Sequence, residues 1–269
     1  MIKTILSILF LWIIYWFASI PSCTKYYLLE HQESSILRDT MIKWRGKNYV
    51  VLSTSPEKLS FFLGDKSNRF KSFSNLASHL KNKNKQLLFA MNGGMYLPNH
   101  NNEPQGLYIE TGKIIKELDS IVAYRPIKTN FYLHPNGVFY ITKDGSAYIK
   151  SNKEFQQEFR GDRINRIKYA TQSGPLLVNH KELHKAFTPK SKNVHIRNAV
   201  GILPSGEVCF VISEDKICFH DIASLFKDNL KCRNALYLDG FVSELYYPKI
   251  KKYNSLNRGD FGVIIGIID

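Results

Sequence analysis

Four short blocks constrain this chain most, because each joins an apolar stretch to polar residues beside glycine. The blocks are Met91-Asn92-Gly93-Gly94-Met95-Tyr96, Gln172-Ser173-Gly174-Pro175-Leu176-Leu177-Val178, Arg197-Asn198-Ala199-Val200-Gly201 and Leu236-Tyr237-Leu238-Asp239-Gly240. Apolar strands that end in polar residues and glycine are typical of a rigid scaffold that presents backbone and side chains to a ligand. Together the four blocks predict one composite site.

The apolar spacing predicts an α+β fold, with a strand-rich mixed sheet core and a few helices in a single domain. The chain has 269 residues, 44% of them hydrophobic, which is enough to bury a full core. No internal repeat and no regular βαβ rhythm appear, which disfavours a doubly wound parallel sheet. The predicted strands, rich in β-branched and aromatic residues, are 47–54, 87–91, 106–110, 131–134, 138–142, 147–149, 169–171, 199–203, 208–213, 235–238 and 261–267.

Turn and helix signals complete this prediction. Asn136-Gly137, Asp144-Gly145 and Ser205-Gly206 each separate two predicted strands and are typical of hairpins. Residues 72–81 and 220–230 carry apolar side chains at helical spacing, so they predict two amphipathic helices.

The N-terminus predicts export. Lys3 is followed by a charge-free apolar run from Ile5 through Ile20. Its length leaves three alternatives open for residues 1–23: a cleaved signal peptide, a lipoprotein signal or a membrane anchor. Ile20-Pro21-Ser22-Cys23 resembles a bacterial lipobox except for its proline. We therefore expect a domain over residues 40–269 in the cell envelope, periplasmic or attached to the membrane through this segment.

The positive charge of the chain is dispersed. The formal net charge is +14, but the densest groups of lysines, at 81–85 and 249–252, alternate with Asn and Tyr. Such a distribution indicates a solvated basic surface and attraction to anionic substrates, so no nucleic-acid partner is expected.

Cysteine usage leaves the redox state open. The chain has four cysteines, Cys23, Cys209, Cys218 and Cys232. If Cys23 is lipidated, an odd number of thiols remains and one of them stays unpaired. Cys209 and Cys218 flank a strand-turn-strand pattern and either face each other or are buried free thiols. There is no CxxC pair, so zinc is disfavoured.

Arg197 and Asp239 carry the strongest chemical prediction. A guanidinium binds phosphate through two parallel hydrogen bonds, and a carboxylate at the end of a core strand acts as acid, base or nucleophile. The pair predicts phosphodiester or glycoside chemistry. No cofactor is required by the sequence. A divalent cation is left open, because Asp239 and Glu244 offer oxygen ligands without a complete ligand set.

The other blocks supply candidate ligand-binding groups. Asn92 ends a predicted strand, and Gly93-Gly94 permits positive φ and close approach of a ligand to the backbone. Gln172 and Ser173 offer hydrogen bonds to a polyhydroxylated or phosphorylated ligand, whereas the absence of a GxSxG pattern disfavours Ser173 as a nucleophile. Further candidate carboxylates, proton carriers and a hydroxyl are Glu244, Glu103, Glu214, Asp215, His134, His184, His195 and Ser243.

The order and content of these blocks resemble the phosphodiester glycosidase domain family, which occurs in bacterial exported proteins and in the mammalian uncovering enzyme of the mannose 6-phosphate pathway. The similarity runs from about Leu87 to Pro248 and includes Pro104-Gln105-Gly106-Leu107 as a fifth motif. It implies an α+β domain that removes a sugar from a sugar-1-phosphodiester and leaves a phosphomonoester. By matching position, it also implies a site made of Asn92, Gln172, Ser173, Arg197 and Asp239, with Ser243 and Glu103.

The chain departs from the family pattern after the aspartate. Many members continue with a second glycine and paired serines, whereas this chain reads Asp239-Gly240-Phe241-Val242-Ser243-Glu244. It resembles the small bacterial single-domain members. In the predicted mechanism Arg197 clamps the phosphate and Asp239 acts at the anomeric centre, while His195, two residues before Arg197, shares its strand face. The alternative is a non-catalytic glycan-binding or envelope-scaffold protein that uses the same pocket.

Overall fold

The computed structural model describes residues 36–120, 130–238, 242–257 and 259–269. The predicted N-terminal segment, 1–23, and the predicted catalytic residue Asp239 lie outside these residues. A compact unit extends from Leu37 to Asp269. In the part of the chain that is described, we find no helix with the length and apolar character needed to cross a membrane.

Short strands make up most of the regular structure, and the strand-rich α+β prediction is confirmed. In chain order they are β1 (Arg38–Trp44), β2 (Lys47–Thr54), β3 (Leu59–Phe62), β4 (Leu87–Asn92), β5 (Tyr96–Leu97), β6 (Glu103–Pro104), β7 (Tyr108–Glu110), β8 (Lys113–Lys116), β9 (Gly137–Thr142), β10 (Ala147–Ser151), β11 (Ile167–Ser173), β12 (Leu176–Asn179), β13 (Glu182–Leu183), β14 (Asn198–Ile202), β15 (Val208–Ser213), β16 (Ala235–Tyr237), β17 (Leu245–Tyr246) and β18 (Ile264–Ile268). The α-helices are α1 (Phe73–Lys81), α2 (Asn152–Glu158) and α3 (Phe219–Ser224), which continues as a π-helical turn, Leu225–Asn229.

The described strands form three larger sheets and a two-stranded ribbon. The seven-stranded sheet has the order β1-β2-β15-β14-β16-β12-β13, the five-stranded sheet β10-β9-β11-β7-β8 and the four-stranded sheet β17-β4-β18-β3, while β5 pairs with β6. Every pair among these strands is antiparallel. The predicted mixed sheet core therefore consists, in the described residues, of antiparallel ladders.

The three larger sheets face one central apolar core. Phe89 of the four-stranded sheet, Phe139 of the five-stranded sheet and Phe210 of the seven-stranded sheet are buried in it. The ring centroids of Phe89 and Phe210 are 5.2 Å apart, and those of Phe139 and Phe210 are 6.4 Å apart. These contacts bring strands from distant parts of the sequence together, so polar residues at the strand ends meet at the edge of this core.

A helix packs in a separate apolar cluster beside each of the three sheets. The clusters pair α1 with the four-stranded sheet, α2 with the five-stranded sheet and α3 with the seven-stranded sheet. Helix α1 begins where the Ser72 hydroxyl accepts a hydrogen bond from Asn75 N, which satisfies a free N–H of the first turn. Both helices predicted from the sequence are confirmed, α1 nearly at its predicted bounds.

Helix α2 was not predicted, although its sequence contains a start signal. Ser151 and Glu154 form a capping box, in which each side chain binds the backbone N–H of the other residue. The helix is short, and its buried apolar residue, Phe155, gives too little periodicity to reveal it. A search for the Ser-x-x-Glu pattern alone would have found it.

Two of the three predicted hairpins are confirmed. Asp144-Gly145 joins β9 to β10, and Ser205-Gly206 joins β14 to β15. The hairpin predicted at Asn136-Gly137 is wrong, because the residues before it form a 3₁₀ segment, Asn130–Tyr132, instead of a strand. Pro135 follows that segment and has no N–H to offer to a sheet ladder.

The described cysteines are buried free thiols. Cys209 faces Cys232, with a Sγ to Sγ distance of 3.7 Å, whereas Cys218 donates to the Asp221 carboxylate at 3.2 Å. Of the two alternatives for Cys209 and Cys218, buried free thiols are confirmed and the facing pair is wrong, because Cys218 lies at the start of α3, where its N–H and thiol both bind Asp221. Burial raises the pKa of the Cys209 thiol well above its usual range.

We predict that Cys209, Cys218 and Cys232 resist alkylation in the native protein and react fully after unfolding. The thiolate is the reactive form, and burial both shields the sulfur and disfavours its ionisation. Peptide mass mapping after brief iodoacetamide treatment, with and without denaturant, measures each site separately. Rapid native labelling of Cys209 or Cys232 would contradict the buried placement.

Candidate active site

Two asparagines at neighbouring strand ends form the centre of the candidate site. Asn92 ends β4 and Asn198 begins β14, and both are buried. Asn198 Nδ2 donates to Asn92 Oδ1 at 2.8 Å and to the Asn92 carbonyl at 3.2 Å. This contact joins the four-stranded sheet to the seven-stranded sheet.

Residues 242–244 are tied to this asparagine pair. Asn92 Oδ1 accepts from Glu244 N at 2.8 Å, and Asn92 Nδ2 donates to the Val242 carbonyl. Ser243 Oγ accepts from Asn198 N at 3.1 Å and donates to Asn198 Oδ1 at 3.3 Å. The two amide side chains therefore fix the position of the segment that carries Ser243 and Glu244.

The position of Asp239 in the sequence is bracketed by two anchored residues. Ser173 Oγ, fully buried at the end of β11, donates to the carbonyl of Leu238, and Asn92 binds the carbonyl of Val242. Asp239 lies outside the described residues, between these two points. The described contacts thus join the second block to the fourth, through Ser173 and Leu238, and the first block to the third, through Asn92 and Asn198.

Gln172 uses its amide to position two neighbouring segments. Its Oε1 accepts from Leu107 N at 2.8 Å and from Asp119 N at 2.9 Å, and its Nε2 donates to the Asp119 carbonyl at 2.8 Å. Tyr132 donates to the Asp119 carboxylate at 2.9 Å. Sequence reasoning missed Asp119, because it follows the exposed strand β8 without a glycine or an apolar block beside it.

The glycines of the motifs allow close packing between strands. A Cβ on Gly94 would lie 2.4 Å from both the Gln172 carbonyl oxygen and Thr171 Oγ1, and a Cβ on Gly106 would lie 2.1 Å from Gln172 Oε1. The positive φ expected at Gly93-Gly94 is not found. Glycine is therefore required at these positions because protein segments pack closely there, and not because a ligand approaches the backbone.

Arg197 is a buried core residue whose described hydrogen-bond partners are neutral. Its Nε donates to the Ile217 carbonyl at 2.9 Å and its Nη1 to the Tyr237 hydroxyl at 3.2 Å. Its Nη2 donates to the carbonyl and to Oδ1 of Asn193, each at 3.0 Å, and Cζ lies 3.8 Å from the centroid of the Phe219 ring. The residue is 0% exposed.

This placement corrects two predictions. A phosphate clamp requires guanidinium donors that a ligand can reach, and those of Arg197 are enclosed by protein. His195 does not share the environment of Arg197, because it is exposed while Arg197 is buried. The backbone of His195 pairs with Ile217 in an isolated bridge outside β14, so the strand alternation expected through residue 197 does not hold.

A cavity of about 390 Å³ adjoins the asparagine pair. His195, Ser243, Glu244, Lys252 and Tyr253 line it, so three residues predicted from separate arguments lie on one wall. Burial raises the pKa of Tyr253 above its usual range. The cavity offers a hydroxyl, a carboxylate and basic side chains to a small polar ligand.

The remaining candidate carboxylates make surface contacts. Glu214 accepts from Lys252, a cavity residue, at 3.0 Å, and Asp215 accepts from the Asn48 N–H at 2.7 Å. Glu103 forms an ion pair of 3.2 Å with Lys116. Each carboxylate is therefore engaged with a cation or an N–H, and Glu214 alone of these three contacts a residue of the cavity wall.

The other candidate histidines contact each other. His184 Nε2 lies 2.7 Å from the His134 carbonyl oxygen, and its ring stacks on Phe187 with centroids 4.7 Å apart. Burial lowers the pKa of His184. In the described part of the chain no group of three or more His, Cys, Asp or Glu side chains is arranged to hold a metal ion.

Replacing Asn92 with alanine is expected to lower the free energy of unfolding by about 1–3 kcal/mol, because Asn198 Nδ2, Glu244 N and the Val242 carbonyl lose a buried partner. Urea denaturation measures this change. The matched control is Asn254→Ala at an exposed position, for which we expect a change within about 0.5 kcal/mol. Equal stability of the two variants would show that the asparagine pair does not hold this segment.

The fold and the convergence of motifs agree with the sequence comparison. The sequence profile of the phosphodiester glycosidase family matches residues 85–264, which is more than half of the chain. The chain therefore belongs to this family, and the family resemblance predicted from the motifs is confirmed.

A curated relative and two solved structures are similar to the chain. The chain is 33% identical over 170 residues to the uncharacterized protein YigE of Escherichia coli (strain K12). The matched residues make up 61% of this chain and 60% of that protein. The chain thus matches less than two thirds of that relative. One solved structure is the zebrafish N-acetylglucosamine-1-phosphodiester alpha-N-acetylglucosaminidase catalytic domain, auto-inhibited by its pro-peptide. Its TM-score with this chain is 0.60 at 16% sequence identity, and the match covers 88% of this chain and 85% of that one. The two proteins therefore share a fold. A hypothetical protein from Synechocystis has a TM-score of 0.49 at 12% identity, covering 86% and 61%.

Proposed function

We propose that this protein hydrolyses a sugar-1-phosphodiester at the bond between the anomeric carbon and the phosphate oxygen. Water supplies the new hydroxyl at the anomeric carbon, and the phosphate leaves as a phosphomonoester that takes up the second proton directly or through solvent. Membership of the phosphodiester glycosidase family supports the reaction class. The observation that carries the proposal is the anchoring of the residues on both sides of Asp239, next to a polar cavity.

Asp239 is the residue that we place at the reacting carbon. A carboxylate there stabilises the positive charge that develops on the sugar ring in an oxocarbenium-like transition state. Because phosphate is a good leaving group, little general-acid assistance is needed. This proposal is supported by the hydrogen bonds to the carbonyls of Leu238 and Val242, the nearest described residues on either side of Asp239 in the sequence.

The cavity provides the other groups of the proposed site. His195 and Lys252 line its basic side and suit the phosphate, whereas Glu244 is the second carboxylate that glycoside hydrolysis employs. Ser243 lies beside Glu244 and suits a sugar hydroxyl. We assign Asn92, Gln172, Ser173 and Arg197 to positioning these segments, because their side chains are buried and bonded to protein.

We further propose that the substrate belongs to the cell envelope or an exopolysaccharide. This proposal rests on the export prediction for residues 1–23, which lie outside the described residues. A divalent cation, left open by the sequence, has no assigned ligand set. Dialysis of the full chain against EDTA before the assay tests whether activity needs a cation.

The test of the function is sugar release by the full chain from a panel of α- and β-linked hexose-1-phosphodiesters. We expect one or more members to yield free sugar and a phosphomonoester in equal amounts. Glu244→Gln is expected to lower kcat, and Lys252→Ala to raise KM, because the first removes a carboxylate and the second a cation from the cavity wall.

A folded protein that releases no sugar from any member of the panel would contradict the proposal. Binding of the same compounds without turnover would instead support the glycan-binding alternative. Since that alternative uses the same cavity, Lys252→Ala would then weaken binding, and Glu244→Gln would leave affinity nearly unchanged.

A further inference from the structure

A second and larger cavity lies towards the other end of β4. Its volume is about 900 Å³, and its wall includes Lys85, two residues before β4 begins, whereas Asn92 ends that strand. At about 3.3 Å per strand residue, Lys85 and Asn92 lie roughly 20 Å apart along the chain. None of the residues that line the smaller cavity lines this one.

Cationic side chains outnumber the carboxylates in the wall of this larger cavity. Four arginine or lysine side chains and two carboxylates line it: Arg69, Lys83, Lys85, Lys113, Asp65 and Glu110. Within the described residues, none of the four cations forms an ion pair with a carboxylate within 4 Å. Unpaired cations around a concave surface concentrate the local field and attract anions.

Arg69 has unused donor capacity at this wall. Its Nη1 donates to the Gly64 carbonyl at 2.7 Å, while its Nε is buried and has no hydrogen-bond partner among the described residues. A bridge between Gly64 and Arg69 closes the turn that presents the guanidinium, and Gly64 has a φ of +82°, which favours glycine. The guanidinium is therefore fixed at the cavity wall, where its positive charge attracts an anion.

The rest of the wall combines apolar and amide groups. Phe62, Phe70 and Ile115 contribute apolar surface, and Asn68 and Asn82 contribute amides. A carbohydrate presents the same combination, because a sugar ring has an apolar face and a rim of hydroxyls. The volume lies within the range of about 300–1,000 Å³ that is usual for small-molecule sites.

We propose that the larger cavity is a second binding site, specific for a phosphorylated saccharide. Arg69 and the lysines bind the phosphate, the amides and the carboxylates bind hydroxyl groups, and the aromatic surface packs against the sugar ring. The choice of ligand rests on the proposed function, since the substrate class proposed there carries both a sugar and a phosphate. The binding itself does not require catalysis.

The test is a titration of the isotope-labelled full chain with glucose 1-phosphate, followed by amide chemical shifts. We expect saturable shifts at Gly64 and Thr111, which line the larger cavity, read separately from shifts at Ser243 and Glu244. The double variant Lys83→Ala, Lys113→Ala is expected to raise the Kd that is measured from the shifts of Gly64 and Thr111 about tenfold or more. A change of this size corresponds to the loss of a charge-assisted contact. Both lysines are exposed, so folding is retained.

Two controls separate this site from the active site. Lys153→Ala, Lys192→Ala removes the same charge from exposed positions outside this cavity, and we expect no change in Kd at Gly64 and Thr111. Asp239→Asn is also expected to leave that Kd unchanged, so failure of the proposed catalysis would not affect the result. A titration with inorganic phosphate measures the contribution of the sugar.

Three results would overturn the proposal. The first is the absence of saturable shifts at Gly64 and Thr111, and the second is equal affinity of both lysine double variants. The third is equal affinity for inorganic phosphate and glucose 1-phosphate, which would reduce the cavity to an unspecific anion site.

Discussion

Asp239→Asn is expected to lower kcat for sugar release by about 10²–10³-fold, the usual effect of removing one group that stabilises charge in the transition state. Asparagine has the same shape but no negative charge, so stabilisation of the developing positive charge is lost. The neighbouring anchors use the backbone carbonyls of Leu238 and Val242, which this substitution leaves in place. We therefore expect KM to change little and the melting temperature to stay within about 2–4 °C of the wild type. Steady-state kinetics and calorimetry measure both.

Asp162→Asn is the matched control for this prediction. Asp162 is exposed in a 3₁₀ segment, so the same change of charge and shape there should leave kcat unaltered. Retention of more than about a tenth of wild-type kcat by Asp239→Asn would contradict the assignment of Asp239. The second carboxylate, Glu244, would then be the residue to place at the anomeric carbon.

Arg197→Ala is expected to lower the free energy of unfolding by about 3 kcal/mol or more. The substitution removes the four hydrogen bonds that the guanidinium donates to the Ile217 carbonyl, the Tyr237 hydroxyl and the two oxygens of Asn193, and it opens a void over the Phe219 ring. Urea denaturation of the full chain measures the loss.

Arg197→Lys should recover only part of that stability, because one ammonium group cannot reach all of these acceptors. Arg163→Ala, at an exposed position, is the control and should leave the free energy of unfolding within about 0.5 kcal/mol of the wild type. A clamp on phosphate predicts the reverse pattern, in which Arg197→Ala raises KM strongly and leaves stability unchanged. That result would show that our reading of Arg197 as a core residue is wrong.

The meeting of the motifs was predictable because each one adjoins an end of an apolar strand. A strand that is buried in a common core delivers its last residues to the edge of that core, and the sequence marks both the strand and its end. Asn92 at the end of β4 and Ser173 at the end of β11 follow this rule. The sequence patterns and the family resemblance therefore predicted which segments of the chain contact one another.

The direction and solvent access of single side chains were not predictable in the same way. Arg197 and His195 are two residues apart, which suggested one strand face, but β14 begins only at Asn198 and the backbone before it is not part of that strand. The local sequence carries no signal for this boundary. The burial of Arg197 depends on Ile217, Tyr237 and Phe219, which are distant in sequence and meet it only in the folded chain.

Asp119 and Cys232 show a second limit of prediction from the sequence. Asp119 matters because Gln172 and Tyr132 bind it, and Cys232 because it faces Cys209. Neither residue stands in a motif, so only tertiary contacts single it out. By contrast, the glycine pair that contains Gly94 is conspicuous in the sequence. The reason why a glycine is required there, close packing against β11, was visible only in the structure.

The most direct test of the proposed reaction is the position of the oxygen that water contributes. The full chain is incubated with an active hexose-1-phosphodiester in water enriched in ¹⁸O, and both products are analysed promptly by mass spectrometry. Cleavage between the anomeric carbon and oxygen, as we propose, places ¹⁸O in the released sugar and none in the phosphomonoester. Label in the phosphomonoester and none in the sugar would mean cleavage at phosphorus, and the protein would then be a phosphodiesterase and not a glycosidase.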